Sequence, residues 1–490
     1  MYLGIDLGTQ SVKAIIYDAQ ARAVVAQASS SLDMISAADG TQEQMAHWWV
    51  IALHQCLARL DAKHKAAVKA VAVSGQQHGL VALDDTGAVL SPVKLWCDTT
   101  TALECDEITR RFGGVQKLRE EVGNEMLTGY TAPKIRWLAR HKPQRYAQVK
   151  HFLLPHDYLN FYLTGEAVME HGDASGTGLL DIRTRQWHSE LLQAIDPDRD
   201  LAGALPPLVE SNTQIGTVKN DVAELLGLPA GVAVAAGGGD NMLAAIGTGN
   251  VVPGKLTMSL GTSGTLFTYS DTPVIDPQGE VAAFCSSTGG WLPLLCTMNC
   301  TVATELTRQQ YGLTLAESEK LIAKAPVGSE GILTIPYFNG ERTPNLPEGK
   351  AVIAGLDALN YSQGNMLRSA MEGATFALRN GLDAFTRLDC ELSEICLTGG
   401  GAGSAAWRQM VADVFNRPVK MLANDEGAAM GAALQAMWMY QGGDIGAWVV
   451  DHLVYDSSRA AVPDAERVSQ YQEVYERYQA HSKHVVALYS

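Results

Sequence analysis

A chain of 490 residues with 47% hydrophobic and 18% charged side chains has the composition of an ordinary globular protein. At about 100 to 200 residues per domain it has room for two to four domains. Its 37 Lys and Arg against 53 Asp and Glu give a formal charge of -16, and the basic residues are scattered, which disfavours nucleic acid as a partner. Apolar runs of membrane-spanning length are missing and the eight cysteines form no Cys-x-x-Cys pair, so neither a membrane partner nor a disulfide framework is expected.

The chain opens Met1-Tyr2-Leu3-Gly4-Ile5-Asp6, with no basic segment and an acid inside the apolar stretch. That argues against a signal peptide and for a cytoplasmic protein. Met1 to Asp18 is predicted as a strand, a Leu-Gly-Thr turn and a second strand. Glycine lets the tip bend tightly and turn its amides outward while neighbouring hydroxyls add donors, which suits a phosphate, although a single hairpin of this kind is more often a plain turn. Asp6 lies on an otherwise apolar strand, so its carboxylate needs a partner. It reads either as a turn cap or, beside a polyphosphate, as the residue that positions a water-bridged magnesium ion.

Thr41 and Gln44 fit a capping box ahead of Met45, Trp48, Trp49, Ala52, Leu53, Cys56, Leu57 and Leu60, a spacing that predicts an amphipathic helix. Ala70 to Val73 reads as a short buried strand. It delivers Ser74-Gly75-Gln76-Gln77-His78-Gly79 to a carboxyl end, where open α/β sheets place ligands. Val232 to Ala236 is another strand, running into Gly237-Gly-Gly-Asp240-Asn241. Three glycines clear the backbone for a substrate, and Asp240 reads equally as a general base and as a helix N-cap before the apolar run Met242 to Ile246.

Gly247 to Gly254 has the composition of a connector, and the domain boundary is placed there, with one domain over residues 1–247 and a second over 248–490. Gly249 to Leu256 imitates a P-loop, but Leu256 stands where a hydroxyl is required and a strand follows in place of a helix, so that reading is rejected. Lys255 to Ser270 then repeats the first hairpin around Leu260-Gly261-Thr262-Ser263. Two such hairpins at the starts of repeated halves are expected to grip a polyphosphate from both sides of a cleft. Cys296 and Cys300, one helical turn apart, lack a Cys/His partner set and read as core packing rather than zinc ligands. Helices are predicted at Asn365 to Phe385, Ser404 to Phe415 and Gly427 to Tyr440. Between the first two, the strand Ile395 to Leu397 leads into Thr398-Gly399-Gly400-Gly401, where a flat base or ribose can approach the backbone.

Assembled, these pieces resemble the FGGY carbohydrate kinases, a family within the two-domain ATPases that include hexokinase, glycerol kinase, actin and the heat-shock ATPases. The resemblance covers nearly the whole chain. It is carried by Asp6-Leu-Gly-Thr-Gln-Ser-Val-Lys13, Gly75-Gln-Gln-His-Gly79, Leu95-Trp-Cys-Asp98, Thr131-Ala-Pro-Lys-Ile-Arg-Trp137, Asp157-Tyr158, Leu163-Thr-Gly-Glu166, Gly237-Gly-Gly-Asp-Asn241, Ser259-Leu-Gly-Thr-Ser-Gly264, Gly340-Glu-Arg-Thr-Pro344 and Thr398-Gly-Gly-Gly401. It implies an α/β fold of two ribonuclease H-like domains with an inter-domain cleft, and ATP and Mg2+ as the cofactors. Gln77, His78, Asp240 and Asn241 would contact sugar hydroxyls, with Asp240 the catalytic base. The hairpin residues Gly8, Thr9, Lys13, Gly261, Thr262 and Ser263, with Gly399, Gly400 and Gly401, would hold ATP, and Asp6 would position the metal.

The Gln-Gln-His-Gly and Gly-Glu-Arg-Thr-Pro segments are most similar to family members acting on D-xylulose, which implies phosphorylation of its carbon-5 hydroxyl. L-xylulose, ribulose, gluconate and glycerol are the alternatives. Two positions depart from the family pattern: Thr100 stands where many members carry Arg, and Glu170 where many carry Asp. Both bear on which sugar is bound. A nucleotide-driven binding protein of the actin type would share the hairpins but has no need of the second polar cluster, and a dinucleotide oxidoreductase would need a GxGxxG turn that this chain lacks. A homodimer is compatible with the sequence, which does not specify the assembly.

Overall fold

A computed structural model describes residues 1–424 and 426–489. In chain order, the elements that matter here begin with β1 (Tyr2–Leu7), β2 (Ser11–Asp18) and β3 (Ala23–Ser31), followed by α1 (Ala46–Arg59) and β4 (Ala70–Gly75). Helix α2 (Pro155–Thr164), β5 (Gln214–Thr217), β6 (Ala233–Ala235), β7 (Gly238–Gly239) and α3 (Asp240–Thr248) follow. The second half holds β8 (Gly254–Leu260), β9 (Gly264–Thr268), β10 (Leu294–Thr297), α4 (Thr301–Gln310), α5 (Gln363–Arg387), β11 (Leu392–Thr398), α6 (Ala405–Phe415), β12 (Val419–Lys420), α7 (Gly427–Gln441) and α8 (Ala465–Tyr489). Among the described residues no helix is long and apolar enough to cross a membrane.

The chain folds into two compact units. One contains Met1–Val252, Ser270–Pro293 and Glu426–Leu453; the other contains Pro253–Tyr269, Leu294–Asp425 and Val454–Ser490. The first crossing falls within the glycine-rich connector, between Val252 and Pro253. The chain then returns twice to the first unit, so α7 belongs there although it lies late in the sequence.

In the first unit a seven-stranded sheet runs β5-β6-β4-β1-β2-β3, with β7 also beside β4. Strand β4 is parallel to β1, β6 and β7, whereas β1, β2 and β3 are antiparallel. Parallel strands covered on both faces read as unbroken apolar runs, and every residue of β4 is buried. In the second unit a five-stranded sheet runs β10-β9-β8-β11-β12. Its hairpin β8–β9 is antiparallel while β11 and β12 continue in parallel, which repeats the order β3-β2-β1-β4-β6 of the first sheet. The hairpin echo in the sequence is thus the visible part of a repeated α/β topology.

Helix α1 starts where its apolar spacing predicts, but the capping box does not form. Thr41 makes no cap, Gln42–Gln44 is a short strand, and Met45 occupies the N-cap position without a side-chain bond. The Gln44 side chain turns inward instead: its Nε2 donates to the carbonyls of Thr9 and Asp33, and its Oε1 accepts from Trp49 Nε1 and Gln76 Nε2. A buried amide with four available partners outweighs one exposed helix cap. Cys296 lies on β10 and Cys300 precedes α4, so the two are not on successive turns of one helix.

Helix α7 holds the first unit together through backbone contact. A Cβ on Gly4 of β1 would lie 2.0 Å from the Ala429 carbonyl oxygen; one on Gly431 would lie 1.7 Å from that of Leu243, and one on Gly247 1.8 Å from that of Gly427. Side chains cannot be inserted at these positions without moving backbone, which explains the Gly- and Ala-rich composition of α7. We expect Gly431→Val to lower the unfolding midpoint steeply, with a loss on the order of 3 kcal/mol or more. Gly203→Ala, where a Cβ meets nothing within 4 Å, should change it little. Chemical denaturation of both variants checks this, and equal midpoints would contradict the packing argument.

Candidate active site

The register of the first sheet determines which side chains meet. Asp6 on β1 is opposite Ser74 on β4, and Gly238 and Gly239 of β7 are opposite Ser74 and Gly75. The chains leaving these strand ends therefore carry Asp6, Gln77-His78 and Asp240-Asn241 to one edge of the sheet. Ser74 Oγ donates to Asp6 Oδ1 at 2.9 Å. Asn241 Nδ2 donates to Gln77 Oε1 at 2.9 Å and to Asp240 Oδ1 at 3.2 Å.

Asp240 is the first residue of α3, and Gly239, not Asp240, is its N-cap. The carboxylate accepts from the backbone and side-chain nitrogens of its neighbour Asn241 and is partly exposed. Burial, and then the nearby charges of Asp6 and Asp173, push its pKa up to about 8. A carboxyl poised near neutrality and reachable from solvent is equipped to accept a proton. Burial also raises Asp6, against the opposing effects of the Ser74 hydrogen bond and Lys13.

His78 has a left-handed backbone, φ 68°, which lifts its ring out of the strand line. The ring stands edge-on to Tyr130 with centroids 5.0 Å apart and lies 5.9 Å from Phe284. Its carbonyl accepts from Lys134 Nζ at 2.9 Å and from Thr131 Oγ1 at 3.1 Å. Burial lowers Lys134 to about 7. The Thr131-Ala-Pro-Lys134 motif thus secures the unusual conformation of the preceding loop.

The hairpin tip between β1 and β2 is closed by Gly8 N donating to the Ser11 carbonyl at 3.0 Å. Thr9 Oγ1 accepts from Trp96 Nε1 at 2.9 Å and donates to Gln76 Oε1 at 3.2 Å. Lys13 Nζ is paired with Glu426 at 2.6 Å, immediately before α7. Both departures from the family pattern lie within buried networks. Thr100 Oγ1 donates to Asp98 Oδ1 at 2.6 Å and accepts from Lys94 Nζ at 2.8 Å. Glu170 accepts from Ser211, Ser287 and the backbone of Asp173, and burial raises it to about 7.

The second unit carries the other hairpin. Backbone carbonyls of Gly261 and Thr262 accept from the amides of Thr301 and Cys300 at 3.0 and 2.9 Å, so the turn rests on the start of α4. Ser259 is opposite Thr398 across β8 and β11. Gly399 has φ 86°, and a Cβ there would meet the Leu260 backbone at 2.8 Å. Nothing lies within 4 Å of a Cβ on Gly400. The turn at Gly261, Thr262 and Ser263, the glycine turn Gly399–Gly401 and the start of α4 therefore form one neighbourhood of backbone amides and small residues, the composition that cradles phosphates.

Two residues that local sequence reasoning did not assign lie just beneath this edge of the first sheet: His156 on α2, and Asp173, whose Oδ1 accepts from Gln77 Nε2 at 3.4 Å. His156 follows a proline at the start of a helix, and no local pattern connects it with residues 75 to 77 or 237 to 240. Only the pairing of the strands does so.

Comparison with known proteins gives the family of the chain. Residues 1–247 match the N-terminal domain of the FGGY family of carbohydrate kinases and residues 256–440 its C-terminal domain. A xylulose kinase of Haemophilus influenzae is 43% identical over 488 residues, covering 98% of this chain and 99% of that protein. A xylulose kinase of Streptomyces coelicolor is 38% identical over 91% of this chain and 89% of its own. Among solved structures, a "xyloylose kinase" from Brucella ovis superimposes with a TM-score of 0.92 at 32% identity, covering 99% of both chains.

The raised Asp240 carboxyl has a thermodynamic consequence. With a folded pKa of about 8 against about 4 unfolded, the folded chain keeps a proton that the unfolded chain releases, so this group's contribution to stability falls as pH rises from about 4 to about 8. Asp240→Asn removes that titration. Without nucleotide or divalent cation, the variant should melt above the parent at pH 8 and alongside it near pH 5. A thermal scan at both pH values checks this; a gap that does not depend on pH would show that the carboxyl is not shifted.

Proposed function

The chain belongs to the FGGY family of carbohydrate kinases, and we propose that it transfers the γ-phosphoryl group of ATP to the carbon-5 hydroxyl of D-xylulose, giving D-xylulose 5-phosphate and ADP. It is an ATP-dependent sugar kinase. The observation that carries the reading is the set of hydrogen bonds linking Gln77, Asn241 and Asp240 beside Asp6 at neighbouring strand ends. The substrate follows from the xylulose kinases that match along nearly the whole chain.

In this reading Gln77, His78 and Asn241 orient the ketose through its oxygens. Asp240 takes the proton of the carbon-5 hydroxyl as that oxygen bonds to the γ-phosphorus and the bond to the β-γ bridging oxygen breaks. Phosphoryl transfer requires alignment and charge stabilisation more than covalent chemistry. Gly8, Thr9 and Lys13 on one hairpin, and Gly261, Thr262, Ser263 and Gly399–Gly401 in the second unit, hold the nucleotide, offering backbone amides and hydroxyls for phosphate oxygens.

Magnesium is part of the same proposal. The charge of Asp6 raises the proton affinity of Asp240, and two carboxylates near enough to interact fit a divalent cation. Among the described residues no cluster of three or more His, Cys, Asp or Glu is arranged to hold a metal. Mg2+ is ordinarily held through one or two carboxylates, waters and the substrate's own phosphates, so Asp6 suffices on the protein side. The ion would neutralise charge on the phosphate oxygens. We place the enzyme in the cytoplasm, where ATP is supplied.

An ATP-coupled assay over D-xylulose, L-xylulose, D-ribulose, L-ribulose, gluconate and glycerol tests the reading. D-Xylulose should give the highest kcat/KM, and Asp240→Asn should lower turnover by about 100-fold or more by removing the base. A higher kcat/KM for another sugar would overturn the substrate assignment, and near-normal turnover of the variant would overturn the role of Asp240. Thr262→Val exchanges a hydroxyl for a methyl of similar volume. It should raise the KM for ATP by roughly 10-fold through loss of one phosphate contact while the KM for sugar stays within about 2-fold; equal changes in both would remove Thr262 from the nucleotide site.

A further inference from the structure

His156 is fully buried and stands between two carboxylates. Its Nδ1 lies 2.8 Å from Asp173 Oδ2 and its Nε2 2.9 Å from Asp157 Oδ1, with both acids at most 1% exposed. Nδ1 is hydrogen-bonded to Asp173, while Nε2 faces Asp157 Oδ1 as a close ion-pair contact outside hydrogen-bond geometry, and a buried ring held between two carboxylates is stabilised as the imidazolium. Burial on its own would lower the ring's pKa, but the neighbouring Asp157 and Asp173 carboxylates outweigh it and raise it to about 10. Asp157 also accepts from the Leu154 backbone at the start of α2, which ties one end of the trio to the scaffold.

The other end reaches the sugar residues. Asp173 Oδ1 accepts from Gln77 Nε2, and Gln77 Oε1 accepts from Asn241 Nδ2, which also donates to Asp240 Oδ1. The residue itself sits against both strand ends: a Cβ on Gly75 would meet His156 Cβ at 2.8 Å, and one on Gly237 would meet the ring at Cδ2 at 3.1 Å. A Cβ on Gly239 would lie 2.9 Å from Asp173 Oδ1. No intervening layer separates the buried cation from the backbone that carries Gln77 and Asp240.

We propose that His156 is a positioning residue of the sugar site, the cation that keeps Asp173 an acceptor and thereby determines which way the Gln77 and Asn241 amides face. An amide can present either its oxygen or its nitrogen to a neighbour, and only a fixed partner decides between them. The imidazolium donates to Asp173, so the remaining Asp173 oxygen accepts, which turns the nitrogen of Gln77 inward and its oxygen toward Asn241. Asn241 must then use its nitrogen on Gln77 and Asp240. The direction of every bond in the series follows from one buried positive charge. The contacts of His156 lead to Gln77 and to the backbone at Gly75 and Gly237, so its effect should fall on the sugar.

This inference rests on the proposed sugar kinase activity, and the test separates the two. Steady-state kinetics with D-xylulose and ATP, together with melting curves, are measured for the full-length parent, His156→Gln, His156→Lys and Asp173→Asn. In His156→Gln and Asp173→Asn the KM for D-xylulose should rise about 10- to 100-fold, while the KM for ATP stays within about 2-fold, because orientation is lost only at the sugar. His156→Lys, which restores a cation, should recover part of that loss. If His156→Gln does not fold, Asp173→Asn reads the same bond from the other side. Failure of the parent to phosphorylate D-xylulose overturns the functional reading. An active parent with an unchanged sugar KM in Asp173→Asn, or with sugar and ATP parameters impaired alike and no recovery in His156→Lys, overturns the role of His156.

Discussion

Parallel pairing of β1, β4 and β7 brings Asp6 and Asp240 to one edge of a sheet whose strands are otherwise apolar, and Asp173, on the short helix His171–Ala174, joins them through Gln77. Charge of one sign concentrated in that way is unfavourable unless it is neutralised, hydrogen-bonded or protonated. The first unit uses all three routes. His156 balances Asp173, Ser74 donates to Asp6, and Asp240 holds its proton up to about pH 8. The imbalance that remains suits the proposed chemistry, since a carboxylate whose proton affinity is raised toward neutrality takes a proton from a hydroxyl, once ionised, more readily than an ordinary aspartate.

Keeping that edge open requires backbone where side chains would otherwise be. Gly237, Gly238 and Gly239 allow the chain to pass against His156, Leu243 and Gln77, and Gly75 allows α2 to approach β4. Helix α7 uses the same device on a larger scale, packing glycine and alanine backbone onto β1 and α3. That contact draws a late segment of the chain back into the first unit, so a boundary drawn at one point in the sequence does not describe how the chain is partitioned.

Much of the fold was legible. The two Leu-Gly-Thr hairpins, the strand ending at Gly75, the helix beginning after Ser404 and the long helix around residues 365–385 all appear where period and turn chemistry predict them. Asp240 was ambiguous for a definite reason: an acid before an apolar run is what both a cap and a base look like, and only the backbone dihedrals assign the cap to Gly239. The Thr41–Gln44 capping box failed because a local pattern cannot register Trp49, Gln76, Thr9 and Asp33 competing for the same amide.

Sequence by itself determined the repeated α/β architecture and the family, and it supplied the candidate site residues, because hairpin turns, glycine runs and apolar periodicity are local and each leaves its mark within a few neighbouring positions. Tertiary structure alone decided the electrostatics. Whether Asp240 holds a proton, whether His156 is charged and which way Gln77 turns depend on groups separated by as many as 234 residues, Asp6 and Asp240 among them, that become neighbours only through strand register. Charge interactions act through distance in space and local dielectric, and neither quantity is written in the order of the residues.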